Sequence, residues 1–456
     1  RSKIFAPTAQ SASFATNKSV GKKLMYKLKI PTPRFGIFEK KQLATDYVKN
    51  SRMPVVIKTD THKPNSVMVC PTETIAKAFI EDCFFAGEEK VIIEEYVHGT
   101  NFSLYAITDG YKILPIGTTV DYKFSLEGNG YINYDKVTPN PTTQAIDEAA
   151  GMAREFGAKA VITIGGGSPT DAGKSVAILL KNEGKNASDI YEFKFTPTEA
   201  APIVAINLTH GTGSETNRFA VATILEKNYK PAIAYDCIYP TYAIDDPKLM
   251  AKLSPKQTRF VSIDAVNHVV EAATSTVASP YSISLARQVV DLVAEYLPKA
   301  IANGEDLEAR YFLCYAAMMA GVAFDNGLLH YTHALEHPLS ALKPDFSHGL
   351  GLAILLPAVI RNIYASKAET LAYILEPIVA GLKADASDTE KAATGVYEWL
   401  KSVDVPNKLT DEGFTEADVK TLTDLAFTTP SLDGLLGIAP TKATKEAVET
   451  IYRESL

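Results

Sequence analysis

Five of the eight histidines fall between His268 and His348, and their spacing is that of a metal site. Asp264 and His268 stand four residues apart, and so do His333 and His337. On a helix, positions i and i+4 share a face, so each pair would project together. One carboxylate and three neutral imidazoles suit a divalent transition metal such as Fe(II) or Zn(II). Asp264, His268, His333 and His348 are the strongest four-ligand candidates. His348 follows the loop Lys343-Pro-Asp-Phe-Ser347 and precedes Gly349, so it would swing onto pairs carried by helices. His337 precedes Pro338 and is a candidate proton relay instead of a ligand. His330, on the same helical stripe, reads as a structural or rim residue. The competing reading makes these ordinary core or surface histidines.

Two glycine-rich strand exits form a second candidate site. A helix over about 142–156 leads to the strand 159–164, then Gly165-Gly-Gly-Ser168, then a helix over 169–180. Glycines let a backbone approach a phosphate, and a helix N-terminus offers free N–H groups. Ser168 is placed as N-cap and Pro169 as first helical residue. The six-residue GxGxxG pattern is absent. A second apolar strand, 202–207, runs into Thr209-His-Gly-Thr-Gly-Ser214. Its hydroxyls and glycines suit a pyrophosphate or a nicotinamide amide. Ligands gather at the carboxyl ends of parallel strands, so the two exits support each other.

The elements that must position these residues fall into three textures. Residues 1–130 mix strand-like runs (54–58, 90–94, 102–107) with helices at 16–29 and 73–86, and Asp109-Gly110 is a hairpin signal. Residues 131–250 alternate strand and helix as parallel α/β units do. From 251 to 456 the chain is helix-rich, with Ser254-Pro255 opening the helix of Asp264 and His268. Further amphipathic stretches are 281–297, 306–324, 327–340, 366–382, 388–403, 415–427 and 442–455. The expected architecture is an α+β segment (1–130), an α/β nucleotide-binding domain (131–250) and an all-helical metal-binding domain (251–456). The glycines of Glu127-Gly-Asn-Gly130 mark the first boundary.

The 456 residues are 46% hydrophobic and 22% charged with net charge −7, which argues against nucleic acid or an anionic membrane as partner. No apolar run is read as long enough to span a bilayer. The opening Arg-Ser-Lys-Ile-Phe-Ala-Pro is no signal peptide. Cys70, Cys83, Cys237 and Cys314 have no CxxC spacing and read as reduced, mostly buried thiols in a cytoplasmic protein.

A series of motifs carries a family resemblance. Val137-Thr-Pro-Asn-Pro-Thr142, Gly165-Gly-Gly-Ser-Pro-Thr-Asp171 with Lys174, Thr209 to Glu215, Asp246-Pro247, Asp264 to Ala272, and His333 to Pro338 followed by His348-Gly349 occur in this order. Over about 131–456 the chain resembles the iron-containing (group III) alcohol dehydrogenases. The resemblance implies hydride transfer between an alcohol or aldehyde substrate and NAD or NADP, with one divalent metal, Fe(II) or Zn(II), acting as a Lewis acid. By it, Asp264, His268, His333 and His348 would be ligands and His337 would lie beside the substrate. Asn140, Gly166, Gly167, Ser168, Asp171, Thr209, Thr212 and Lys230 would line the cofactor. A homo-oligomer is compatible with this reading. His210 stands where many members have Ala. The family's opening βαβ unit, which meets the adenosine ribose, is absent.

Residues 1–130 resemble instead the ATP-grasp ligases, most closely phosphoribosylamine–glycine ligase. The match runs from Lys27-Leu-Lys-Ile-Pro-Thr-Pro33 through 54–58 and Val91-Ile-Ile-Glu-Glu-Tyr-Val-His-Gly99 to Asp121-Tyr-Lys123. It implies that Lys58 meets ATP phosphates and that Glu94–Val97 form an adenine hinge. The segment 59–66, where that family has a glycine-rich loop, contains no glycine. The chain therefore reads as a chimera joined near residue 130. The leading expectation is a metal-dependent alcohol dehydrogenase. The alternatives are a nucleotide- and metal-binding chimera without turnover, and an ATP-dependent carboxylate–amine ligase.

Overall fold

The computed structural model describes residues 17–60, 66–97, 101–108, 113–121 and 131–456. The chain divides into two units, 1–130 and 131–456. The Asp109-Gly110 turn, Tyr122-Lys123 and the glycines at 128 and 130 lie outside the described residues.

The first unit runs α1 (Lys18–Lys27), β1 (Phe35–Phe38), α2 (Lys41–Lys49), β2 (Val55–Thr59), β3 (Val67–Cys70), α3 (Glu73–Phe85), β4 (Val91–Glu95), β5 (Asn101–Thr108) and β6 (Ile113–Asp121). Four strands pair in the order β1-β4-β2-β3, each pair antiparallel. β2 alternates, burying Val55, Ile57 and Thr59, as a strand with one face on the core must. Val55 and Ile57 meet Ala44 and Val48 of α2 and Ala76 and Ile80 of α3. Lys58 pairs with Glu94 at 3.0 Å, and Lys22 reaches the same oxygen at 3.1 Å. β5 and β6 form an antiparallel ribbon.

The second unit opens with α4 (Thr143–Phe156), β7 (Val161–Gly165), α5 (Gly167–Lys181), α6 (Ala187–Tyr191), β8 (Ile203–Asn207), β9 (Phe219–Val221), β10 (Ala232–Ala234) and β11 (Tyr242–Asp245). β7, β8 and β11 form a parallel sheet in the order β11-β8-β7. One face is buried through Thr163, Ile203 and Ala205. On the other, Ile162, Ile164, Tyr242 and Ile244 are exposed in two rows, with β7 at the edge.

Helices follow: α7 (Pro247–Met250), α8 (Pro255–Thr274), α9 (Pro280–Ala302), α10 (Leu307–Gly327), α11 (Tyr331–Leu342), α12 (His348–Ile363), α13 (Ala368–Leu375), α14 (Thr389–Ser402), α15 (Glu416–Thr428), α16 (Leu432–Gly437) and α17 (Lys445–Ser455). One continuous apolar core links α8 to α17. The reading of apolar runs needs a correction. Leu307–Gly327 and His348–Ser366 are long and apolar enough by composition to cross a membrane, yet both are mostly buried inside the unit. A helix buried on all faces in a large core has that composition too.

Candidate active site

α8 starts at Ser254, whose hydroxyl accepts the Gln257 N–H at 3.1 Å ahead of Pro255. Nearly every residue from Phe260 to Thr274 is buried, so Asp264 and His268 sit one turn apart inside the protein. α11 carries His333 and His337, also buried. α11 has an unusual start. Glu271, on α8, accepts the N–H groups of His330, Thr332 and His333 at 3.1, 2.7 and 3.3 Å. One histidine-bearing helix thus caps the other with a carboxylate, which the helix dipole also favours. The other Glu271 oxygen bonds His333 Nδ1.

That bond turns His333 Nε2 toward Asp264 Oδ1, 3.6 Å away, while His268 Nε2 lies 3.4 Å from the same oxygen. The His268 and His333 rings stack at 4.7 Å, and His348 stands 5.4 Å from His333. His348 is oriented as His333 is: its Nδ1 bonds a carboxylate, here Glu336 of α11. Donor atoms of Asp264, His333 and His348 lie within 4.8 Å of one another. Glu336, His337 and His348 make a second equally tight trio. There, however, Lys230 Nζ neutralises Glu336 at 3.3 Å and donates to Ser340 Oγ at 2.7 Å. The Asp264 trio is the better cation site.

The residues fit a divalent metal. Among the described residues, Asp264 Oδ1 and His333 Nε2 are buried without a hydrogen-bond partner, a state that costs free energy unless something occupies it. His268 turns Nε2, not its unpartnered Nδ1, toward Asp264 and stands outside the close trio. Three buried carboxylates (Asp264, Glu271, Glu336) face one buried ammonium (Lys230), and with neutral imidazoles two negative charges are left over. Burial opposes the Asp264 carboxylate, but His268, His333 and His348 bring its pKa down to about 2. Burial lowers His268 to about 4, which keeps the imidazole neutral, as a ligand must be. Burial also opposes a charged His333, yet Glu271 and Asp264 outweigh it and hold that pKa up at about 9. That is the response of a site built to hold positive charge.

The four ligand candidates, His337 and every cofactor candidate from Asn140 to Lys230 line one cavity of about 620 Å³. The expectation for Ser168 is corrected: α5 starts at Gly167 with Gly166 as N-cap, so Ser168 and Pro169 are its second and third residues. The first N–H groups of a helix lack partners anyway, so a proline there loses nothing. The glycines serve a close approach. A Cβ on Gly166 would stand 2.7 Å from the Thr209 methyl, and one on Gly167 2.7 Å from the Thr212 methyl. The two strand exits thereby touch.

Asp171 accepts Ser214 Oγ at 2.6 Å and the Val221 N–H at 3.0 Å. Lys174, fully buried, donates to the carbonyls of Ser214, Asn217 and Phe219 at 2.6, 2.9 and 2.6 Å. Together they brace α5 against the second exit. Asn140 Nδ2 donates to the carbonyls of Pro344 and Phe346 at 2.9 and 3.3 Å. It thus pins the loop ahead of His348, which is the first residue of α12 and not part of a swinging loop. Lys230, a cofactor candidate in the sequence, has its ammonium among Glu336, Ser340 and His348. His330 is fully buried, not at a rim. Its Nδ1 accepts the Tyr331 N–H at 2.7 Å and its Nε2 meets Thr274 Oγ1 at 2.9 Å. His337 Nδ1 donates to the Lys230 carbonyl at 2.8 Å, which leaves Nε2 as the free base. Phe219, Phe260, Val261, Phe324, Leu329 and Leu435 give the cavity an apolar wall. Sequence reasoning missed Glu271 and Glu336. Their signal was a carboxylate three residues after a histidine in an otherwise buried helical run.

Comparison with known proteins carries the dehydrogenase likeness back beyond residue 131, to residue 93. The iron-containing alcohol dehydrogenase family matches residues 93–247, and the C-terminal part of the Fe-containing alcohol dehydrogenase family matches 260–456. The phosphoribosylglycinamide synthetase ATP-grasp (A) domain matches 16–135, overlapping the first of these. The long-chain primary alcohol dehydrogenase AdhA of Thermoanaerobacter ethanolicus is 60% identical over 343 residues, covering 75% of this chain and 84% of that protein. The 1,3-propanediol dehydrogenase of Klebsiella pneumoniae is 33% identical over 382 residues, 82% of this chain and 93% of that protein. Among solved structures, a 1,3-propanediol oxidoreductase superposes with a TM-score of 0.65 at 33% identity, covering 71% of this chain and 84% of the other.

Proposed function

The chain belongs to the iron-containing alcohol dehydrogenase family, and from that premise we propose how its residues divide the work and which alcohols it takes. It is an NAD(P)-dependent oxidoreductase that moves a hydride between an alcohol and its cofactor. In our reading Asp264, His268, His333 and His348 hold the metal, and Glu271 and Glu336 fix the tautomers of His333 and His348. A divalent metal held there would supply Lewis acidity toward the alcohol oxygen, and a bound nicotinamide would supply the hydride acceptor. Thr209, Thr212, Gly166 and Gly167, with the free N–H groups of α5, cradle the pyrophosphate side of the cofactor. His337 takes up the alcohol proton at Nε2, because its Nδ1–H is committed to the Lys230 carbonyl. The apolar wall of Phe260, Phe324, Leu329 and Leu435 keeps water from the reacting carbon and packs an alkyl chain.

The single observation that carries this reading is one cavity with unpartnered Asp264 and His333 atoms at one end and the glycine turns at the other. The apolar wall and the 60% identity to a long-chain primary alcohol dehydrogenase support primary alcohols with extended alkyl chains as substrates. Residues 1–130 we read as an ATP-grasp-like segment without ligase chemistry, a reading supported by the match at 16–135 and by Lys58 being tied to Glu94. The test follows nicotinamide reduction spectroscopically with primary alcohols of increasing length, with NAD and NADP, under anaerobic Fe(II) or added Zn(II). Each added methylene should raise kcat/KM about fourfold while it is buried, the equivalent of ~0.8 kcal/mol. A flat or falling series would remove the long-chain assignment. Absence of turnover in every combination would remove the assignment of roles.

A further inference from the structure

The second strand exit faces two ways. Thr209 and Thr212 line the cavity, while His210 turns from it and is fully buried against the helices. His210 Nε2 meets Arg310 Nη1 at 2.7 Å, and His210 Nδ1 meets Ser262 Oγ at 3.1 Å. A guanidinium can only donate, so Nε2 must be the bare nitrogen and Nδ1 must carry the proton given to Ser262. Arg310, itself fully buried on α10, also donates to Thr258 Oγ1 at 2.8 Å, the Gly304 carbonyl at 2.9 Å and the Leu253 carbonyl at 3.3 Å. Ser262 precedes the candidate ligand Asp264 by two residues on α8. Beside it the backbone of the exit lies directly on α8: a Cβ on Gly211 would stand 2.5 Å from the Val261 carbonyl oxygen.

We propose that His210 is a positioning residue that fixes the cofactor cradle against the metal-bearing helix. Resting on the dehydrogenase reading above, it sets the reach from the nicotinamide to the reacting carbon through Ser262 on one side and Arg310 on the other. It touches neither substrate nor cofactor. The geometry dictates what replaces it. A glutamine presents one acceptor to Arg310 and one donor to Ser262, as the imidazole does; an alanine presents neither.

The experiment uses the full chain and two readouts: fluorescence titration of reduced nicotinamide cofactor against metal-free protein, and metal stoichiometry after reloading. His210→Ala should weaken cofactor binding about tenfold, the equivalent of one lost hydrogen bond, with metal stoichiometry unchanged. His210→Gln should restore affinity to within about threefold. Ser262→Ala leaves the acceptor of Arg310 in place and so perturbs the fold less than His210→Ala does. It should show the same loss in smaller measure and decides the matter if His210→Ala does not fold. Unchanged cofactor affinity in Ser262→Ala, loss of metal in step with cofactor, or no rescue by glutamine would overturn the proposal. Failure of the unsubstituted chain to bind cofactor would overturn instead the reading on which it rests.

Discussion

At the residue scale, Glu271 joins two tasks that the sequence gives no sign of joining. It accepts three backbone N–H groups at the start of α11 and orients His333 with its other oxygen. Glu271→Gln keeps an acceptor for the helix start but loses the charge behind the imidazole. Its metal affinity should fall about 10- to 100-fold in a chelator competition, with the fold intact. Full metal occupancy in a His268→Ala, His333→Ala double variant would sink the ligand assignment outright. The histidines were legible in the sequence because an i, i+4 pair needs nothing beyond a helix to bring it together. Glu271 was not, because His333 lies 62 residues further along the chain, and only the packing of α8 on α11 joins them.

At the element scale, helix ends and strand ends set the chemistry. α12 was missed in the sequence because it is buried on nearly every face, with Gly349, Gly351 and Pro357 inside it, so no amphipathic period marks it. α5 is legible in the sequence, but it starts at Gly167 with Gly166 as N-cap, not with Ser168 as N-cap. At the carboxyl ends of the strands, Asp245 of β11 accepts Asn207 Nδ2 of β8 at 2.9 Å, and the nearby buried Glu215 has an unpartnered oxygen. Burial, then the Asp245 charge, pushes the Glu215 pKa up from 4.5 to about 8. A carboxyl raised on folding stabilises the protein below its unfolded pKa, and that contribution is lost as pH rises through the folded value. Melting temperature should therefore fall as pH rises from about 5 to about 8, and Glu215→Gln should flatten that slope. An unchanged slope in the variant would refute the assignment.

At the scale of the whole molecule, the parallel sheet is the weak point. Its exposed rows carry Ile162, Ile164, Tyr242 and Ile244 beside the edge strand β7. Apolar faces and strand edges of this kind promote association between chains. Ile162→Thr combined with Ile164→Thr should raise the concentration at which light scattering sets in on warming, with cofactor binding unaltered. Identical scattering curves would show that this face plays no part. The chain divides into two units at 130, inside the stretch 93–135 where the two family matches overlap.

The sequence by itself determined the helix-borne Asp264–His268 and His333–His337 pairs, the two glycine-rich strand exits and the change of texture near 130. Each depends on local periodicity or on backbone conformations that only certain residues adopt. Only the tertiary structure decided that these pieces share one cavity, that Glu271 and Glu336 stand behind the imidazoles, that Lys230 sits with Glu336, and that His210 bonds Ser262 of α8. Those contacts join residues far apart in the chain. Their energy comes from burying complementary charges and donors together, a term that no local spacing records.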